Sequence, residues 1–315
     1  MPPLTIVFCG TPAFALPTLR HLLSQPEFKI EGVVTQPDRP RGRGQQTAAS
    51  PVKDAALAAR IPVHQPQKIR TEEWQEYFSR VAPDAVVIIA YGQIIPARLI
   101  AIPRLGWINL HGSLLPKYRG AAPIHWAIAN GETRTGLTTM KIDAGLDTGP
   151  MLLKYETEIG PEEIAPELYA RLAEAGAPLM AKTLRGLEDG TITPVAQEAA
   201  QASLARPLKK EDGKIDWSLP ARKIYDRMRG FQPWPGAFTS FRGKNCAIWG
   251  KPAAEISSQH EPPGTIRVSG GEVFAACGED TALRVEFAQL EGRKRIAARE
   301  FANGARLAAG ERFGG

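Results

Sequence analysis

Residues 85–89, Ala-Val-Val-Ile-Ile, carry no polar side chain. A strand of that composition must be covered on both faces. That is the situation of a central strand in a parallel sheet flanked by helices. The start of the chain agrees. Residues 4–9 form a short apolar run, Gly10-Thr11-Pro12 turns the chain, and Pro12 suits a helix start. A helix to about Leu23 and a second strand over 28–34 complete a strand–helix–strand opening, the unit from which parallel sheets are built.

The same texture continues for some 190 residues. Helices are expected over 51–60, 71–80, 121–130 and 161–188, and strands over 62–64, 84–90, 106–110, 135–142 and 151–155. Residues 35–50 read as a long polar loop. Residues 190–208 then lose any sustained period and read as a linker. After a short helix over 221–229, strands near 236–241, 245–249, 264–268, 272–277 and 282–288 follow at close spacing. Short strands so close together suggest a small β-barrel or sandwich. The expected organisation is an α/β domain with a mostly parallel sheet over 1–189, a linker over 190–208, and a small β domain over 209–315.

Composition narrows the class. No run approaches the roughly 20 apolar residues that span a bilayer. The apolar N-terminus lacks a basic start and is broken by Gly10, Pro12 and Pro17, unlike a signal peptide. Cys9, Cys246 and Cys277 are odd in number and widely spaced, which argues for a reducing, cytoplasmic setting. No CxxC or HxxxH spacing exists, so no metal is expected. Charge is unevenly shared. Residues 1–190 hold 20 Lys/Arg against 19 Asp/Glu, and residues 191–315 hold 19 against 14. A basic module beside a near-neutral one fits a polyanion partner, or simply a solubilising surface.

The chemistry concentrates in two places. Asn109 and His111 stand two apart at a strand end, and residues two apart share a face. Ligands of open parallel sheets bind beyond the carboxyl ends of strands. Asp147 lies in a Gly-bounded loop after the following strand, where the fold can bring it alongside. An amide and a neutral or protonated imidazole can donate to an oxygen gaining negative charge. A carboxylate can orient the imidazole and accept a proton from an attacking amine. The set suits acyl transfer to nitrogen. With no Ser or Cys in a nucleophile-elbow context, direct transfer is favoured over a covalent intermediate. Each residue also has a plain structural reading, as a hydrogen-bonded buried His or a turn-forming Asn. Gly10-Thr11-Pro12 lacks the G-x-G-x-x-G spacing of a dinucleotide site, so Thr11 is expected only to shape the pocket. His125 is read as packing.

Arg39, Arg41 and Arg43 fall within five glycine-interrupted residues near the same sheet edge. That is a phosphate-contact pattern or a solvated loop. Arg206, Lys209, Lys210, Lys214, Arg222, Lys223, Arg227, Arg229 and the 293–295 triplet form further basic clusters. Phe231-Gln-Pro-Trp234-Pro reads as a rigid aromatic corner suited to packing.

The chain resembles the folate-dependent formyltransferases, and within them the methionyl-tRNA formyltransferase family. The resemblance rests on Phe8-Cys-Gly-Thr-Pro12, Thr35-Gln-Pro-Asp-Arg-Pro40, Ser50-Pro-Val-Lys53, Ala90-Tyr-Gly92, Asn109-Leu-His-Gly-Ser-Leu-Leu-Pro116, Arg119-Gly-Ala-Ala-Pro-Ile124, Asp143-Ala-Gly-Leu-Asp-Thr-Gly149, Ile215-Asp-Trp217 and Pro233-Trp-Pro235. It implies a Rossmann-like formyltransferase domain followed by an OB-like barrel that holds tRNA. It implies 10-formyltetrahydrofolate as donor and initiator methionyl-tRNA as acceptor. Asn109, His111 and Asp147 match the family's catalytic trio. Ser113, Leu114, Leu115 and Pro116 match its folate-binding segment, with the pterin against Ala90, Tyr91, Gly92 and the loop at Asp143. Arg39, Arg41 and Arg43, with Lys209 and Lys210, are the expected tRNA contacts. A monomer without a membrane partner is expected.

The sequence departs from the family at His125-Trp126 and at Gln45-Gln46, which stand where other residues are usual. Residues 308–315 carry no motif that the resemblance accounts for. Three rivals stay open. They are a formyltransferase acting on a sugar nucleotide or other small amine, a folate hydrolase module, and an idle RNA-binding protein with a formyltransferase-like domain.

Overall fold

The computed structural model describes residues 2–41, 46–253, 258 and 260–314, with side chains left aside at 39–41, 46 and 47. The chain divides into two compact units. The first comprises 1–123, 134–158 and 167–206, and the second 124–133, 159–166 and 207–315.

In chain order, the first unit opens with β1 (Leu4–Gly10), α1 (Leu16–Leu23) and β2 (Phe28–Val34). There follow β3 (Arg39–Arg41), β4 (Gln46–Ala48), α2 (Pro51–Ala58), β5 (Val63–His64), α3 (Glu72–Val81), β6 (Ala85–Ile89), α4 (Ala97–Ile100) and β7 (Gly106–His111). Helix α5 (Pro123–Ala129), which from Ile124 on belongs to the second unit, precedes β8 (Arg134–Lys141), β9 (Met151–Glu158) and the long α6 (Ala165–Glu188).

Seven strands form one sheet in the order β5-β2-β1-β6-β7-β8-β9. The first five run parallel, and β8 and β9 run antiparallel. The chain reverses direction across the sheet between β1 and β6, which opens a crevice at the carboxyl ends of those strands. All five residues of β6 are buried, as its unbroken apolar run requires. Trp74, Tyr77 and Phe78 of α3 recur at helical spacing and pack with Val7, Val86, Ile88 and Trp107. Ser50 accepts the Lys53 backbone N–H and caps α2, with Pro51 in the first turn.

Residues 35–50, read as a loop, contain the β3–β4 hairpin, with Arg39 paired to Ala48 and Arg41 to Gln46. A two-stranded ribbon outside the main sheet imposes no apolar alternation, so its sequence carries none. Residues 190–206 belong to the first unit. Val195 bridges Met151, and Leu204 bridges Arg119. A segment held by single bridges leaves no period to read.

The second unit holds α7 (Ala221–Gly230), β10 (Phe238–Phe241), β11 (Lys244–Pro252), β12 (Ile266–Ser269), β13 (Glu272–Ala276), β14 (Ala282–Leu290), β15 (Ile296–Ala297) and α8 (Ala298–Ala305). Its six strands form an antiparallel sheet. Ile224 and Met228 of α7 and Phe301 of α8 close one core with Ile248, Val273 and Leu283. The end of the chain belongs to this core. Phe313 is 2 % exposed and stacks on Trp217 at 5.5 Å.

Among the described residues, no helix is long and apolar enough to cross a membrane.

Candidate active site

Asn109 and His111 lie on one face of β7. In register, Asn109 meets Ile88 of β6 and Met140 of β8, and His111 meets Thr138. His111 is 5 % exposed, and its Nε2 lies 2.8 Å from the Tyr118 carbonyl. Asn109 is half-buried, and among the described residues its side-chain amide has no hydrogen-bond partner. An amide so placed is free for a ligand.

The third candidate arrives by a longer route than the sequence suggests. Because β8 is antiparallel to β7, its end at Lys141 lies beside Ile108 rather than beside His111. The loop after it must travel three residues along β7, about 10 Å, to bring Asp147 to the imidazole. It does so: Asp147 Oδ2 lies 3.6 Å from His111 Nδ1, a close approach too long for a hydrogen bond. The same oxygen accepts the Gly120 N–H at 2.8 Å.

Two glycines permit this path. A Cβ at Gly149 would stand 1.8 Å from the Lys141 carbonyl, and one at Gly120 2.8 Å from that of Ala205. Gly120 also has φ of +117°, which side chains avoid. Asp147 itself is left-handed at φ 51°, a conformation that Asp tolerates better than most residues.

The folate-matching segment faces inward. Ser113 and Leu115 are fully buried. The Ser113 hydroxyl donates to the Lys117 carbonyl at 2.6 Å. Thr138 Oγ1 donates to the Ser113 carbonyl and accepts the Leu115 N–H, and Lys154 Nζ donates to the Leu115 carbonyl. Pro116 is buried too, which leaves Leu114, half-buried, as the outermost of the four. Ala90 and Gly92 are exposed in left-handed turns, with φ of 47° and 86°, between them the buried Tyr91. Burial pushes the Tyr91 phenol upward. Asp143 accepts from the Gly145 N–H and the Thr148 hydroxyl, which shapes the 143–149 loop. Ile94 and Leu146, on the loops of Tyr91 and Asp147, are 90 % and 65 % exposed.

Thr11 serves the same sheet edge structurally. Its hydroxyl accepts the Gln36 N–H and the Thr35 hydroxyl. Asp38, before the β3–β4 hairpin, pairs with Lys53 at 2.5 Å and accepts from Gln65. Those two bonds, Lys53 foremost, hold its carboxyl below the usual carboxylate range. Arg39 and Arg41 lie on β3. Arg43 lies outside the described residues, as does Gln45.

In the second unit, Lys209 and Lys210 are exposed. Other members of the basic clusters have internal partners. Arg229 is 2 % exposed and pairs with Asp226 at 2.8 Å. Arg227 lies over the Phe231 ring at 5.1 Å and donates to the Asp212 carbonyl. Arg295 lies over both Trp249 and Phe287. In the aromatic corner, Phe231 is buried while Trp234 is 54 % exposed. Burial lowers the pKa of His125 in α5, in keeping with a packing role. No group of three or more His, Cys, Asp or Glu among the described residues is placed to hold a metal ion.

Sequence reading missed the Tyr118 carbonyl and the Gly120 N–H, because backbone groups have no side-chain signature. It also missed Gln197, which lies in the stretch without period.

Residues 4–184 match the formyl transferase family, and residues 207–306 match its C-terminal domain. A methionyl-tRNA formyltransferase of Solibacter usitatus is 56 % identical over 98 % of this chain and 98 % of its own length. One from Acidobacterium capsulatum is 54 % identical over 98 % and 99 %. Among solved structures, WlaRD, a sugar 3N-formyl transferase, superposes with a TM-score of 0.66 at 18 % identity, over 92 % of this chain and 99 % of its own. At that identity the likeness is one of fold.

Proposed function

The chain belongs to the formyl transferase family, and from that membership we propose that it moves the formyl group of 10-formyltetrahydrofolate onto the free α-amino group of initiator methionyl-tRNA, for translation initiation. The observation that carries the reading is end-to-end likeness to methionyl-tRNA formyltransferases, joined to the approach of Asp147 to His111 on the strand face that also carries Asn109.

The folate carries the formyl group on N10. The loops of Ala90–Gly92 and Asp143 suit its flat pterin, because each is flanked by an exposed apolar side chain, Ile94 or Leu146. The inward turn of Ser113, Leu115 and Pro116 makes that segment a rigid wall, with Leu114 as its outer surface.

An α-amino group has a pKa of about 7.7, so at neutral pH much of it is protonated and cannot attack. Asp147 takes that proton, directly or through water. The free amine attacks the formyl carbon. As the carbonyl oxygen gains charge, the Asn109 amide donates to it, and so does protonated His111 through its Nδ1–H, the Nε2–H being held at the Tyr118 carbonyl. The attacking nitrogen then sheds its second proton, N10 takes up a proton in exchange as the C–N10 bond breaks, and tetrahydrofolate leaves. The C-terminal unit, 209–315, holds the tRNA through Lys209 and Lys210, and the segment at Arg39, Arg41 and Arg43 meets the acceptor stem.

The test is formyl transfer from 10-formyltetrahydrofolate to charged initiator tRNA, with elongator methionyl-tRNA and free amines as controls. Formylation of the initiator alone is expected. Activity confined to small free amines overturns the reading.

A further inference from the structure

Gln197 uses its whole side chain to join two loops. Its Nε2 donates to the carbonyls of Asp147 and Gly149, both at 2.8 Å. Its Oε1 accepts from Arg119 Nε at 3.0 Å and Nη2 at 2.8 Å. Two donors and two acceptor sites are all that a carboxamide has, so each is spent. Arg119 sits between Tyr118, whose carbonyl meets His111, and Gly120, whose N–H meets Asp147. One amide thus fixes the loop that carries the carboxylate to the loop that fixes both the carboxylate and the imidazole.

The need for such a clamp follows from strand direction. The 142–150 loop leaves β8 beside Ile108 and must run back along β7 to reach His111. Asp147 is the far part of that excursion and Gly149 its return beside Lys141, so Gln197 ties the far part to the near one. The segment bearing Gln197 is itself laced to the Tyr118–Ala122 loop. Tyr118 N–H donates to Ser203 Oγ, Arg119 N–H to the Ser203 carbonyl, and Ala205 N–H to the Arg119 carbonyl.

We infer that Gln197 is a positioning residue for formyl transfer, acting through Asp147: it holds the 143–149 loop where the carboxylate can serve His111 and the attacking amine. The inference rests on the role of Asp147 proposed above. A misplacement of about 1 Å in a reacting group can cost about 100-fold in rate.

The test is a kinetic cycle on the full chain. Gln197→Ala should lower kcat by about 10- to 100-fold while KM for tRNA and folate stays within about twofold. Gln197→Glu keeps the acceptor for Arg119 but cannot donate to the two carbonyls, and should lose as much. In an Asp147→Asn background, neither change should cost anything further, because the group being positioned has gone. Additive losses, or full activity in Gln197→Glu, would show that Gln197 merely braces the fold, and would overturn the inference. An impaired Asp147→Asn beside a fully active Gln197→Ala sinks this inference alone. A fully active Asp147→Asn sinks the role of Asp147 and this inference with it.

Discussion

Asp147 Oδ2 stands 3.6 Å from His111 Nδ1 and at the same time accepts the Gly120 N–H at 2.8 Å. The backbone bond fixes the oxygen, and the 3.6 Å separation is too long for a hydrogen bond between the oxygen and the ring. Asp147→Asn tests what the charge contributes. The amide oxygen can still accept from Gly120, so the loop should keep its shape, but proton acceptance is lost. Turnover should fall by about 10²- to 10⁴-fold, the usual worth of a positioned acid or base, with tRNA affinity unchanged. Parallel loss of turnover and affinity would argue for a structural carboxylate.

Among the described residues the Asn109 amide has no hydrogen-bond partner, so its removal should leave the apo fold intact. Asn109→Ala should cost about 2.7–4 kcal/mol of transition-state stabilisation, as does loss of one oxyanion donor elsewhere. Stopped-flow single turnover against tRNA binding separates the two steps. Weakened binding with normal single-turnover chemistry would remove Asn109 from the oxyanion site.

The parts of the fold legible in the sequence are those where burial dictates residue type. The β6 run and the α3 stripe of Trp74, Tyr77 and Phe78 follow from faces that must be apolar, and the two-residue repeat of a strand puts Asn109 and His111 on one side. What stayed hidden lacks that pressure. The antiparallel turn of β8 leaves its own composition unchanged, so the return of the Asp147 loop could not be foreseen. Gln197 is one polar residue among many in 190–206. Arg229 looks in sequence like its exposed neighbour Lys223, and only the fold buries it against Asp226. The resemblance to the formyltransferases supplied the donor and acceptor, which residue chemistry alone left open.

His64 offers a pH-dependent handle away from the site. Its ring packs edge-on against Tyr77 at 4.6 Å and Trp74 at 5.6 Å. Burial first, and then the charge of Arg80, lowers its pKa below the usual histidine value. The unfolded chain therefore binds the proton more readily than the folded one. Stability is fully present above the ordinary histidine value of about 6.5 and declines as pH falls from there towards the depressed folded value. Urea midpoints measured across this range should drop with acidity in the native sequence and drop less in His64→Asn. Identical pH slopes in the two proteins would refute a contribution from His64.

Lys209 and Lys210 of the second unit are exposed. If each neutralises one phosphate, replacing both by Ala should make the slope of log affinity against log salt shallower by about 0.9 per lysine. Affinity should fall for initiator and elongator tRNA alike, because phosphate contacts carry no sequence. An unchanged slope would place the tRNA contacts elsewhere on the basic surface.

The buried pair of the second unit predicts an order of effects. Arg229 pairs with Asp226 and also donates to the carbonyls of Gly160 and Glu163, at 3.1 and 3.0 Å. Asp226 has a further partner in Arg222, 3.0 Å away and half-exposed. Breaking a buried pair typically costs about 3–5 kcal/mol because one charge is left uncompensated. The two halves should not cost the same. Arg229→Met leaves Asp226 with Arg222, whereas Asp226→Leu leaves Arg229 buried with two carbonyls and no carboxylate. Asp226→Leu should therefore lower the urea midpoint more than Arg229→Met, and Arg222→Ala least of all, since that guanidinium already meets water. A reversed order would mean that Arg229 is stabilised mainly by the backbone carbonyls, with Asp226 contributing little.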